Sequence, residues 1–357
     1  MKLPCITMLA ALLLTAPAAA QLQIAPPATI PSTPPEKQKP KPPAPAKKEA
    51  APKPAASPKP APSAKPTPAP TVIPAPPTDN SNADLVYGAY QRGQYKTAFE
   101  LATARAQAGD PKAMTMLGEL YSNAMGIRRD YAKAAEWYKR AADAGDREAM
   151  FALAMLRISG RGGAVDKGEA VKLMASAAKL GEPRAAYNLA LLYLDGQTLP
   201  QDVKRSAELL RQAADAGLPE AQYALATFYK EGTGVPKDPE RAVRLLQAAS
   251  LADNVDAEVE YAIAMFNGTG TPKNQPAAVA LLRKASRQGS AIAQNRLAWV
   301  LINGVGTTMD KVEGFKWHLV AKTAGKGDPE LDKQLSDLPA EERTKAEAAA
   351  KKWLGNK

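Results

Sequence analysis

Between Pro111 and Lys326 the chain repeats one thirty-six-residue pattern six times with no insertion or deletion, and few folds accept a register that strict. An alanine recurs at Ala113, Ala149, Ala185, Ala221, Ala257 and Ala293. A large residue follows four positions on, at Leu117, Leu153, Leu189, Leu225, Tyr261 and Leu297, and the position after that is always small. A second alanine column runs through Ala141, Ala177, Ala213, Ala249, Ala285 and Ala321. Small residues at fixed sites predict helices packed closely against one another.

The punctuation divides each unit into two helices. The first ends at paired glycines such as Gly232 and Gly234, Gly268 and Gly270, or Gly304 and Gly306, which can adopt positive φ and turn the chain. The second starts at an acid or amide in one column, Asp130, Asp166, Asp202, Asp238, Asn274 and Asp310, whose side chains can accept from an unpaired N–H of the first turn. Glu169 and Glu313 predict full capping boxes in two units. Gly145, Gly181, Gly217, Gly289 and Gly325 predict where the second helices close. No stretch in these units reads as strand. The expected fold is therefore all-α, a solenoid of about seven helical hairpins in which each unit covers its neighbour's apolar face.

The run from Ala221 to Asp238, Ala-x-Tyr-x-Leu-Ala-x-x-Tyr-x-x-Gly-x-Gly-x-x-x-Asp, resembles the Sel-like repeat (SLR) family of the tetratricopeptide superfamily. Asp130 to Ala142 carries that family's second-helix pattern. The resemblance covers residues 111–326 and implies a right-handed array. Three departures stand out: Ala124 in place of a turn glycine, Thr198 in place of another, and Arg157 where tyrosine is usual. Arg157 must reach solvent or find an acid. Residues 83–110, with Tyr90, Gly93, Tyr95 and Ala98, resemble a plain tetratricopeptide hairpin. Residues 327–357, with Leu331, Leu335, Leu338, Ala346, Ala350 and Trp353 at helical spacing, predict one or two capping helices.

Ahead of the array, Met1-Lys2, the apolar run Ile6 to Leu14 and Ala18-Ala19-Ala20 predict a signal peptide over residues 1–20, cleaved after Ala20. The expected location is periplasmic or secreted, with retention of the segment as a membrane anchor left open. Cys5 precedes the apolar run, where no lipoprotein cysteine would lie, and the cleaved chain would hold no cysteine and no disulfide. Residues 21–82 are rich in proline, alanine and lysine, a composition that predicts a disordered, extended linker. Lys37, Lys39, Lys41, Lys47, Lys48, Lys53, Lys59 and Lys65 place much of the net charge of +11 there. That charge either draws the linker weakly to an anionic envelope surface or keeps a spacer soluble. Nucleic acid is not the expected partner, because the basic residues are not interleaved with aromatic ones.

Catalytic and metal chemistry have little to stand on. The single histidine, His318, falls in a second-helix column otherwise held by Tyr138, Met174, Leu210, Leu246 and Leu282, and is expected to pack there partly buried. One histidine and no mature cysteine predict no nitrogen–sulfur metal site and no cofactor. The glycine pairs lack the lysine and serine of a phosphate-binding loop. Paired carboxylates stay conceivable, though the recurring aspartates are already accounted for as helix caps.

What the resemblance implies is a non-catalytic scaffold or adaptor whose first helices line a concave groove. Three columns would face it: Thr115, Phe151, Tyr187, Tyr223, Val259 and Asn295; Glu119, Met155, Leu191, Thr227, Ile263 and Trp299; and Ser122, Ile158, Leu194, Lys230, Phe266 and Ile302. Phe151, Met155, Tyr187, Leu191, Leu194, Tyr223, Ile263, Phe266 and Trp299 are the expected contacts for a protein or peptide partner in the cell envelope. Two other readings compete. One is an envelope hydrolase or a protein binding β-lactams or muropeptides, as some SLR proteins are, although those resemble disulfide-stapled arrays. The other is a tethered structural spacer.

Overall fold

The computed structural model describes residues 81–355. The signal segment and the Pro/Ala/Lys-rich stretch up to residue 80 lie outside the described residues. Within them the chain forms sixteen helices and no strand. A first hairpin pairs α1 (Ser81–Gln91) with α2 (Tyr95–Gln107), so helix begins slightly inside the stretch assigned to the linker. Six longer-looped hairpins follow: α3 (Pro111–Asn123) with α4 (Tyr131–Asp143), α5 (Arg147–Ser159) with α6 (Lys167–Lys179), and α7 (Pro183–Asp195) with α8 (Val203–Asp215). The series continues as α9 (Pro219–Glu231) with α10 (Pro239–Leu251), α11 (Val255–Asn267) with α12 (Gln275–Arg287), and α13 (Ala291–Asn303) with α14 (Lys311–Thr323). Two helices, α15 (Pro329–Ser336) and α16 (Ala340–Gly355), complete the array. From α1 to α14 each helix packs chiefly on its neighbours in the chain, as a one-dimensional stack requires, whereas α16 folds back over α15 to pack on α14.

The small columns lie where helices meet. Ala149, Ala185, Ala221, Ala257 and Ala293 are wholly enclosed, as are Ala141, Ala177, Ala213, Ala249, Ala285 and Ala321. The leucines four residues after the first column are buried beside them, while Tyr261 is half-buried. In the first of the six units Gly118 replaces the usual alanine because the Tyr138 ring fills the space; a Cβ there would lie 2.4 Å from that ring.

All six acids or amides at the second-helix starts accept a bond from the N–H three residues on. The full capping boxes do not form. Glu169 bonds Arg157 at 2.7 Å and Glu313 bonds Arg283 at 2.9 Å, while the N–H groups of Asp166 and Asp310 already donate to the carbonyls of Arg157 and Leu301. A second capping column, at the first-helix starts, went unread in the sequence. Asp110, Asp146, Asn254 and Ser290 cap their helices through side-chain oxygens. Glu182 and Leu218 do not, and there Pro183 and Pro219 leave one fewer N–H to satisfy.

One turn position shows why glycine recurs. Gly270 has φ +69°, and a Cβ on it would sit 2.3 Å from the carbonyl oxygen of Pro239, at the start of the preceding unit's second helix. The turn is thus also a stacking contact. Ala124 takes the left-handed conformation (φ 57°) that glycine holds in the other units, at a cost of about 1–2 kcal/mol.

At the far end, Leu331 and Leu338, with Ala346 and Ala350 of α16, join the core of the last units. Trp317 and Trp353 meet edge to face at 5.0 Å.

Candidate functional site

Residues four and then three apart share a helix face, so the columns through Thr115, Glu119 and Ser122 form one stripe on each first helix. Successive first helices lie near one another: the Arg184 guanidinium sits 5.1 Å from the Phe151 ring, and Lys230 bonds Glu260 at 3.0 Å. Phe151, Met155, Tyr187, Leu191, Leu194, Tyr223, Ile263, Phe266 and Trp299 are each half-buried. Eight of them rest on the core, Leu191 being the one outside the packed clusters, and all nine keep an accessible part.

The stripe is not uniform. Thr115, Val259 and Ile302 stand in the same columns but are buried, so they present nothing to a partner. Thr115 is drawn in by a hydrogen bond to Asp146 (3.1 Å) and to its own helix. Between Tyr223 and Ile263 the Lys230–Glu260 ion pair and Thr227 separate the apolar stretch into two parts.

Acids surround the aromatic hydroxyls. Burial, reinforced by Glu220, raises the Tyr187 pKa. Burial and the nearby Glu260, Asp256 and Glu231 push that of Tyr223 to about 12. Both phenols therefore remain neutral donors, and neither has a hydrogen-bond partner among the described residues. Glu220, Glu231 and Asp256 likewise have no ion-pair partner among them, whereas Lys230 and Arg184 are both paired with acids.

Where the stripe begins, a cavity of about 320 Å³ opens between α1, α3 and α5. Val86, Tyr87, Met116, Glu119 and Glu148 are among the residues lining it. The two bases in its wall are engaged: Arg105 with Asp110, and Lys112 with Asp146 at 2.9 Å. Glu119 has no such partner. Burial, then the charge of Glu148, holds its carboxyl above the usual range despite an opposing pull from Arg184. Sequence reasoning counted Glu119 only as a polar column member, because the cavity depends on where α1 packs.

His318 is fully rather than partly buried, with Nε2 2.8 Å from Asp332 of α15. Enclosure and that bond suit it to holding the capping helix, not to meeting a substrate. Arg157 finds its acid in Glu169 at 2.7 Å, so its charge is paired locally. Among the described residues no group of three or more His, Cys, Asp or Glu could hold a metal ion, and no helix is long and apolar enough to cross a membrane.

Repeated helical hairpins stacked in one array define a helical-repeat protein. The chain belongs to the Sel1 repeat family, whose model matches residues 111–146, 147–182, 183–218, 219–254, 255–290 and 291–326. Repeats of this family typically form scaffolds for protein–protein interaction, and such relatives are generally non-catalytic. Two solved structures are similar in fold. A protective antigen present in uropathogenic Escherichia coli strains, displaying an SLR fold, is 23% identical with a TM-score of 0.66, the match covering 76% of this chain and 61% of that one. A Sel1 repeat protein from Oxalobacter formigenes is 24% identical with a TM-score of 0.58, over 67% of this chain and 96% of that one. No curated protein matches the chain.

Proposed function

We propose that this chain is an exported, non-catalytic scaffold of the bacterial envelope that holds a segment of a partner protein on its first-helix stripe. The observation that carries the reading is the accessibility of Phe151, Met155, Tyr187, Leu194 and Tyr223, apolar or aromatic side chains supported by the core beneath them yet not covered, with the half-buried Leu191 among them. Rigid aromatic side chains of this kind supply binding energy at low entropic cost. The free hydroxyls of Tyr187 and Tyr223 add directional donors for a backbone carbonyl. Export rests on the residues Met1 to Ala20 and on the basic, proline-rich stretch behind them.

The test replaces Tyr187, Leu191 and Tyr223 together by alanine. Capture of specific proteins from an envelope extract should be lost while the helical circular-dichroism signal persists, because each side chain is only half-buried. Undiminished capture would refute the stripe as the binding surface. Recovery of the native chain beginning at Gln21 from the periplasmic fraction checks the export half; a cytoplasmic chain still beginning at Met1 would contradict it.

A further inference from the structure

We infer that the partner segment carries a lysine or arginine whose cationic end enters the cavity beside Glu119, so that this cavity anchors one end of the segment and sets its direction on the stripe. The inference rests on the preceding proposal that the stripe holds a protein segment.

Three observations converge on it. First, Glu119 is a half-buried carboxylate without a hydrogen bond or ion pair among the described residues, in a cavity whose own bases, Arg105 and Lys112, already serve Asp110 and Asp146. A partly desolvated carboxylate without a direct ion-pair partner is an unfavourable arrangement that an incoming cation relieves, and the base whose charge acts on it, Arg184, is paired with Glu182. Second, the remaining walls suit a long cationic side chain. Val86 and Met116 offer apolar surface to methylene groups, and Tyr87, 55% exposed, offers a ring face to the charge. Third, the same sign continues along the stripe. Glu220 lies close enough to affect Tyr187, and Glu231 and Asp256 to affect Tyr223, and none of these acids has an ion-pair partner. Arg296, at the far end, is the base without an ion pair on the last first helix.

A volume of about 320 Å³ accommodates a single lysine or arginine side chain with water, and is small for a folded element. Among the described residues no three His, Cys, Asp or Glu side chains cluster there as metal ligands would. Glu119 shares a column with Met155 and Leu191, so the segment would run from a basic residue at the cavity onto apolar residues over the following units.

Random dodecapeptides displayed on phage are selected against the full chain, against Glu119→Gln, and against the Tyr187, Leu191 and Tyr223 triple-alanine variant. The best peptide is then titrated with its basic residue intact or replaced by norleucine. The expected result is enrichment of lysine- or arginine-bearing peptides by the parent chain. Norleucine should weaken binding about tenfold on the parent and less than about twofold on Glu119→Gln. Because Glu119 makes no internal bond, the glutamine variant should keep its fold, which circular dichroism verifies. Enriched peptides that lack basic residues, or a norleucine effect equal on both chains, would overturn the inference and leave the stripe intact. Failure of the parent to enrich anything beyond the triple variant would overturn both.

Discussion

At the scale of single residues, charge and space decide what the repeat leaves open. Glu119 holds its proton more tightly folded than unfolded, because burial and Glu148 disfavour the anion. The unfolded chain then binds fewer protons in that window, so this group subtracts stability as pH rises through it. Glu119→Gln should therefore raise the unfolding temperature at neutral pH, with the gain vanishing below about pH 4, where both forms are neutral. A gain that persists at low pH would mean that packing, not ionisation, is responsible. Some of this was legible and some was not. Glu119 stands out as the acid in a column of apolar side chains, but its missing counter-charge depends on Lys112 bonding Asp146 instead. Asp253 is a similar case. It occupies the column where other units have glycine, keeps a positive φ of 60°, and meets Lys284 at 2.7 Å. Lys284 also reaches the fully buried Glu258 on the first helix of its own unit, so one lysine ties that hairpin to the preceding unit in a way that no periodicity announces.

At the scale of helices and turns, the sequence was most informative where geometry is local. Caps at Asp130 and its equivalents need only the next turn, and they form as the spacing implies. The capping boxes failed because Glu169 and Glu313 found stronger partners in Arg157 and Arg283, one of them on the neighbouring unit. Recurring glycines looked equivalent in sequence but divide into two kinds. Gly145 has φ +90° with open space around its missing Cβ, while Gly270 combines φ +69° with a prospective contact of 2.3 Å to Pro239. Gly145→Ala should cost about 1–2 kcal/mol, the left-handed penalty alone. Gly270→Ala adds an overpacking cost of about 1–3 kcal/mol and should loosen the stacking of two units. Denaturant midpoints of the two variants measure the difference, and equal losses would show that the turn is not a stacking contact.

At the scale of the whole array, the repeat period settles the fold, since an unbroken thirty-six-residue register leaves each hairpin dependent on the next. The proposed binding surface lies in what departs from that register, and it was only partly readable. Tyr187 and Val259 share a column, yet one is accessible and the other buried at 3%. Periodicity names a face, whereas local packing decides which members of it reach water. The proposed function therefore requires a partner that occupies the stripe through its accessible members. A photo-crosslinking phenylalanine derivative placed at Tyr187, compared with the same group at the exposed Lys172 on a second helix, tests this in the full chain within its native envelope. A discrete adduct is expected at position 187, weakened by alanine at Tyr223, and none at position 172. Equal adducts at both positions, or an adduct at 172 alone, would contradict the proposed function.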